Sequence, residues 1–272
     1  MSVTTNEIAR VSALYAYPVK SCRGLSVRRS AFDAFGPVDD RRWMVVDGHG
    51  EFLTQREHPA MARIEARPTA DGLSLSAAGM PELDIGRPQV GRPFIAAVWN
   101  DYVDTLDAGD EAADWLRAYL RVPCRLVVTG PNYRRPVRRG GHGAHTSLAD
   151  GYPFLLISEA SLEDLNARME TPLTMDRFRP NIVVSGCGAF AEDEWTRFRI
   201  GDSTFAAVKP CSRCAITTTD QRSGQRDGKE PLRTLARYRR LMNDAQVFFG
   251  QNVVHLDGRG EIEVGDRVEA VT

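Results

Sequence analysis

Short apolar runs broken by glycine and proline dominate the chain, and few of them keep a helical period. Residues 11–17 mix β-branched and aromatic side chains and stop at Pro18, which predicts a strand. Residues 42–46 run into the turn signal Asp47-Gly48, and 52–54 follow, the pattern of a hairpin. Residues 61–66, 73–77 and 93–99 are further predicted strands. Helical spacing first appears at Ala112, Trp115, Leu116 and Tyr119, which predicts a helix over 111–120 with Asp110 as its cap. Residues 124–128 read as a strand again.

The second half repeats the texture. Residues 154–157 predict a short buried strand, and Ser158 is placed to cap a helix over 159–169 with Leu162 and Leu165 as its apolar stripe. Strand patterns follow at 181–184, 198–200, 204–208 and 215–219. A third helix is predicted over 231–241, with Pro231 at its start and Leu232, Leu235 and Tyr238 facing inward. Residues 253–256, the turn Asp257-Gly258, and 262–268 complete the pattern. Between the halves, 130–148 carries four glycines with Arg134, Arg135, Arg138 and Arg139, and reads as a solvated linker or lid. The fold class expected is mainly β with short helices (α+β), a β-barrel with helical additions.

Composition narrows the function classes. The 272 residues hold 35 Lys plus Arg against 36 Asp plus Glu, so the balanced charge gives no reason to expect a nucleic-acid partner. No apolar run is long enough for a transmembrane helix, and the first ten residues are polar, unlike a secretory signal. A cytoplasmic protein without a membrane anchor is expected. Five cysteines, at 22, 124, 187, 211 and 214, make an odd, sparse set that argues against a disulfide scaffold. Almost all the basic residues are arginines, whose planar guanidinium suits phosphate.

The sharpest local feature is Lys209-Pro-Cys211-Ser212-Arg213-Cys214. A structural zinc site wants four ligands, and His255 is the only late histidine. A thioredoxin-like redox pair belongs at a helix start, whereas 215–219 has a β pattern. Two readings remain: a pair of buried small hydrophobes, or one soft thiolate ligand for a bound metal cofactor, with Arg213 beside it favouring the thiolate. Anion-binding candidates are scattered: Lys20 and Ser21 after Pro18, Arg41 and Arg42 opening a strand, Arg177, Arg179 and Asn181 around Pro180, and Ser158 and Ser161 at a helix start. Taken singly, such arginines are usually solvated and Ser158 is simply a cap. His142 and His145 have metal-like spacing but sit in the glycine-rich stretch, and Trp99, Trp115 and Trp195 read as core or seam residues. Walker A, dinucleotide and nucleophile-elbow motifs are all missing.

These segments together resemble a known family. Tyr17-Pro-Val-Lys20-Ser21-Cys22, then Asp40-Arg41-Arg42-Trp43, are similar to the opening motifs of the MOSC superfamily, named after the C-terminal domain of molybdenum cofactor sulfurase. Ser158-Glu-Ala-Ser161-Leu162, Arg177-Phe-Arg179-Pro-Asn181-Ile182, Glu192-Asp-Glu-Trp195 and Cys211-Ser-Arg-Cys214 resemble its later motifs in order and spacing. Within that superfamily the chain resembles the mitochondrial amidoxime-reducing branch and its bacterial relatives. The resemblance implies an N-terminal β-rich domain over 8–128, a linker or loop over 129–148, and a MOSC β-barrel domain over 149–272. It implies a molybdenum–pterin cofactor between the two parts, with Cys214 as metal ligand and catalytic residue and Cys211 as a packing residue. Lys20, Ser21, Arg41, Arg179, Asn181, Ser212 and Arg213 would surround the cofactor, with Ser158 and Ser161 near its phosphate. It also implies reduction of N-hydroxylated small molecules such as hydroxylamines or amidoximes, with electrons from a separate electron-transfer protein and its reductase. The alternative is a non-enzymatic carrier of the cofactor or of sulfur.

Overall fold

The computed structural model describes residues 9–89, 91–141, 143–226, 228–240 and 245–271. His142, Leu241 and the polar start up to residue 8 lie outside the described residues. Strands dominate, and the largest sheet has eight of them. Its centre is the pair Phe154–Ser158 and Ile182–Ser185, which run parallel and are joined through the helix Glu159–Asn166. A parallel pair needs such a crossover, and this one sets the Ser158 helix start against the sheet. Arg10–Ala16 pairs antiparallel with Ile182–Ser185 on one side. Val247–His255, Ser203–Arg213, Arg197–Ile200 and Val268–Val271 follow in turn on the other. The sheet curls: the Val11 amide donates to the Asp266 carbonyl at 2.9 Å, and Val268 donates to Ala9 at 2.7 Å. Val11, Leu14, Phe154, Leu156, Ile182, Phe198, Phe205 and Val253 fill its inside and are essentially solvent-free.

A second body is built on the four-stranded antiparallel sheet of Trp43–Val46, Arg125–Thr129, Asp101–Asp107 and Pro93–Val98. The helix Asp110–Leu120 packs Trp115 and Leu116 with Val45, Leu73, Leu75 and Leu126 into its core. Each fully buried large apolar side chain contributes roughly 1.5–3 kcal/mol to its own core. Arg10–Ala16 and Leu25–Val27 lie in the large sheet, and Arg29–Asp33 pairs with Gly260–Glu263. Residues 10–33 are thus knitted to the second half of the chain.

Several predicted elements change in detail. Residues 61–66 fold as the 3-10 turn Pro59–Arg63 and then the strand Glu65–Pro68, because Pro59 presets a helical first turn. The strand Asp101–Asp107, absent from the sequence reading, has the inward positions Val103, Thr105 and Asp107, two of them polar. Asp107 is tolerated inside because Arg125 donates to it at 2.8 Å. Asp110 is not the cap of its helix: Gly109 is, at φ 100, and Asp110 stands in the first turn. The third helix shortens to the single turn Leu232–Leu235. Residues 215–219 are not a strand but the 3-10 helix Ala215–Thr218. The Thr217 and Thr218 hydroxyls bond the Cys214 and Ala215 carbonyls at 2.9 and 2.8 Å, a local pairing that outcompetes a sheet ladder.

Candidate functional site

The strand Ser203–Arg213 carries the cysteine motif to a cleft between the two bodies. Its pairing with Val247–His255 slips between Ala207 and Lys209 and again between Pro210 and Ser212. Pro210 cannot donate to a ladder, and a bulge is where a sheet accommodates it and re-aims the side chains that follow. Cys214 then caps the short helix Ala215–Thr218. Both motif cysteines are partly exposed and free, and they line a pocket of about 130 Å³.

Eight of the ten predicted site residues converge on that pocket: Lys20, Ser21, Arg41, Arg179, Asn181, Ser212, Arg213 and Cys214. Three of them, Ser21, Arg41 and Arg179, adopt left-handed backbone at φ 66, 47 and 57. Non-glycine residues pay strain energy there, and such strain concentrates where side chains must be aimed. The aiming groups are buried. Asp40 is fully buried, bonds Arg41 Nη1 at 2.5 Å, and accepts from the Tyr17 amide and from Asn181 Nδ2, each at 2.9 Å. Arg41 also donates to Asn181 Oδ1 at 3.1 Å. Asn181 is therefore occupied by the scaffold and orients Arg41.

Arg41 and Arg179 both lie over the Tyr17 ring, with guanidinium carbons 4.3 and 4.2 Å from its centre. Desolvated contacts of that kind are worth about 2 kcal/mol each and offset part of the cost of burying two cations together. Burial, more than any neighbour, still lowers Arg179 to about 10. Arg179 Nη1 donates to Gln221 Oε1 at 3.3 Å. Gln221 and Gln55 exchange amide hydrogen bonds at 2.9 and 3.1 Å, and Gln55 donates to the Ser21 carbonyl at 2.8 Å. Two buried guanidinium nitrogens on this pocket, Arg179 Nη2 and Arg213 Nε, have no partner among the described residues. Buried donors without acceptors are costly, so they mark where an anion would sit. Arg213 Nη1 lies 3.0 Å from the Cys211 sulfur, so the arginine leans on Cys211 rather than on Cys214.

Sequence reasoning missed the carboxylate of this site. Asp150 accepts from Lys20 Nζ at 2.5 Å and from Trp99 Nε1 at 3.3 Å, and Arg56 stands 3.8 Å away. Burial lowers Lys20 to about 8, with Asp150 offsetting part of the shift. The protein atoms packed around it work against the Asp150 charge even though its side chain is exposed, but Lys20 and Arg56 more than compensate and hold its carboxyl well below the usual range. Phe52, Arg56 and Tyr152 also line the pocket.

Ser158 and Ser161 are not brought there. Both are fully buried at the start of Glu159–Asn166, where Ser158 Oγ accepts from the Ser161 amide at 3.1 Å. The Ser158 amide and the Ser161 hydroxyl donate to Glu192 Oε1 at 3.0 and 2.7 Å. Their polar atoms serve the helix start and Glu192. Arg42 and Arg177 point elsewhere, to Asp33 at 2.7 Å and Asp220 at 3.1 Å. Within the stretch read as solvated, Arg135 is buried and donates to Asp101 at 2.8 Å and to the Asp150 carbonyl at 2.9 Å. Arg134, Arg138 and Arg139 are exposed. Trp99, read as a core or seam residue, is half exposed at the pocket rim. His255 is buried against Phe32 and Phe154. Among the described residues no three His, Cys, Asp or Glu side chains gather as a metal cluster, and no helix is long and apolar enough to cross a membrane.

This donor set offers one or two sulfurs, five cations and a single carboxylate. It cannot enclose a bare metal ion, but it fits a metal that arrives on an anionic organic ligand. Residues 8–123 match the MOSC N-terminal beta barrel domain and residues 143–269 match the MOSC domain. Mouse mitochondrial amidoxime-reducing component 1 is 37% identical, over 96% of this chain and 82% of its own length. The human component 1 is also 37% identical, over 96% and 83%. Human mitochondrial amidoxime reducing component 2 is 34% identical, over 86% of this chain and 73% of its length.

Proposed function

The chain belongs to the MOSC/amidoxime-reducing-component family, and on that premise we propose that it is a molybdenum-cofactor-dependent oxidoreductase that reduces N-hydroxylated small molecules. The observation that carries the reading is the single pocket holding Cys214 among Lys20, Arg41, Arg179 and Arg213, with Arg179 Nη2 and Arg213 Nε unpartnered. Cys214 would be the metal ligand. Arg179, Arg213, Arg41, Ser21 and Ser212 would hold the anionic pterin part, and Asn181 would keep Arg41 in place. When bound, the molybdenum centre supplies a site that accepts oxygen and exchanges two electrons.

The overall change is R–NHOH + 2 e⁻ + 2 H⁺ → R–NH₂ + H₂O: the N–O bond breaks, and the oxygen leaves as water. The electrons come from a separate electron-transfer protein with its own reductase. Lys20 Nζ, beside Asp150 and at about 8, holds a proton at neutral pH within the pocket wall. The surrounding cations favour the anionic cofactor and exclude cationic competitors. The segment over 8–128, whose first strands join the large sheet, and the segment over 149–272 would each supply residues to the pocket, with 129–148 between them.

The test is metal and pterin content of freshly purified wild-type and Cys214→Ala protein from molybdate-replete cells, followed by donor-coupled reduction of an N-hydroxylated probe. Near-stoichiometric cofactor and turnover in the wild type, with turnover lost in the variant, is the expected result. Cofactor with no turnover from any donor class would favour a carrier. Absence of molybdenum and pterin from the wild type, while a known molybdoenzyme loads in the same cells, overturns the reading.

A further inference from the structure

A second cavity, about 260 Å³, adjoins the Cys214 pocket, and Asp150, Gly151 and Tyr152 line both. Its other walls include Arg138, Arg139 and Lys209. Its carboxylates are already spoken for. Asp101 bonds both Arg135 and Arg138, and Asp150 is held by Lys20 and Arg56. Arg139 and Lys209, both exposed, have no carboxylate partner among the described residues. Tyr152 adjoins both: its hydroxyl donates to the Arg139 backbone carbonyl at 3.1 Å, and the Lys209 ammonium stands 5.5 Å from its ring centre. At the boundary with the first pocket, the Trp99 indole is half exposed on left-handed backbone at φ 57. It packs edge-on against Phe52 at 5.1 Å, and the Arg56 guanidinium lies 4.8 Å from its centre.

The geometry points to a substrate subsite here: a flat group extends across Trp99 and Tyr152 while an anionic substituent, a carboxylate or phosphate, pairs with Arg139 and Lys209. The inference rests on the reductase reading of the neighbouring pocket, with the N–OH end toward Cys214 and the anionic end in the second cavity. Two unpaired cations with aromatic planes beside them attract a negative planar molecule and repel a positive one. A chain with a net charge of −1 has no global field to do this, so the preference is local.

The test compares kcat/KM for three probes on the cofactor-loaded protein with a saturating donor: benzamidoxime, its 4-carboxy derivative and its 4-aminomethyl derivative. The carboxylate is expected to be preferred over the neutral probe by about fivefold to tenfold, the size two solvent-exposed ion pairs supply. The order carboxylate, neutral, ammonium should compress as salt rises. In the double variant Arg139→Gln/Lys209→Gln the carboxylate-to-neutral ratio should fall toward one. A general loss of folding or cofactor lowers both rates and leaves the ratio alone, so it does not imitate this result. Turnover of the neutral probe without a carboxylate preference overturns the subsite but leaves the reductase reading standing. No turnover of any probe overturns the reductase reading first. A double variant that raises the KM for the electron donor, with the probe ratio unmoved, makes this face the docking surface of an acidic redox partner and also overturns the subsite.

Discussion

Replacing Asp150 with Asn tests the electrostatics of the pocket wall directly. The side chain of Lys20 is only 6% exposed, and its carboxylate partner is Asp150 at 2.5 Å. Removing one member of a buried ion pair costs about 3–5 kcal/mol, because the other charge stays behind uncompensated. Asp150 itself is 59% exposed, so water screens the pair and the expected cost falls to about 1–2 kcal/mol near pH 7. For a chain of this size that is a fall in Tm of about 2–4 °C. The pH dependence identifies the cause. Lys20 stands at about 8 in the folded protein against 10.5 for an ordinary lysine. The unfolded chain therefore binds more protons between those values, and stability rises with pH across that window. In the variant the folded value drops further, so its penalty is full below that value, fades as pH rises toward about 8, and is gone above it. Thermal unfolding of wild type and Asp150→Asn at pH 6 and pH 9, at matched cofactor content, should show the gap closing at the higher pH. An equal gap at both would mean that lost hydrogen bonds, not an orphaned charge, account for the effect, and no gap would refute the ion-pair argument outright.

Four further outcomes are expected. Gln221→Leu should cost about 1–3 kcal/mol in denaturant unfolding, because it strands the buried Gln55 amide and frees Arg179 Nη1, and pterin retention should fall with it. Ser158→Ala should cost about 1 kcal/mol of stability through the lost cap while leaving pterin content unchanged, and a drop in pterin would return Ser158 to the cofactor. Gly250→Ala should destabilise by at least about 2 kcal/mol by calorimetry, since it sits at φ 79 and an added Cβ would stand 2.8 Å from the Leu156 carbonyl oxygen. Cys211→Ser should retain molybdenum where Cys214→Ala loses it or alters its coordination, as metal analysis and X-ray absorption would report.

How far the sequence reached depends on whether the cause was local. The strands with apolar inward faces, such as Phe154–Ser158 and Trp43–Val46, were readable because burial itself wrote their pattern. Asp101–Asp107 was not, since its inward Asp107 is acceptable only beside Arg125, which no periodicity announces. Residues 215–219 carried a β-branched composition, yet hydroxyl-to-carbonyl bonds within three residues decided their shape. At the site, motif resemblance located Lys20, Arg41, Arg179 and Cys214. It could not locate Asp150, whose tie to Lys20 spans 130 residues. Ser158 and Ser161 do not line this pocket: their helix-start role, visible locally, uses their polar atoms.

The pairing of Arg10–Ala16 with Ile182–Ser185 bears on how the molecule comes into being. Tyr15 and Asn181 are 166 residues apart, and their contact holds the Arg41 side of the pocket. During synthesis the first strand therefore leaves the ribosome long before its partner exists. Contacts between such distant segments make folding slow, and the exposed edge needs shielding meanwhile. A cofactor that requires this pocket can enter only after both walls have met. Filling of the pocket would thereby wait for synthesis of the second half, and a half-made chain would offer only one of its walls.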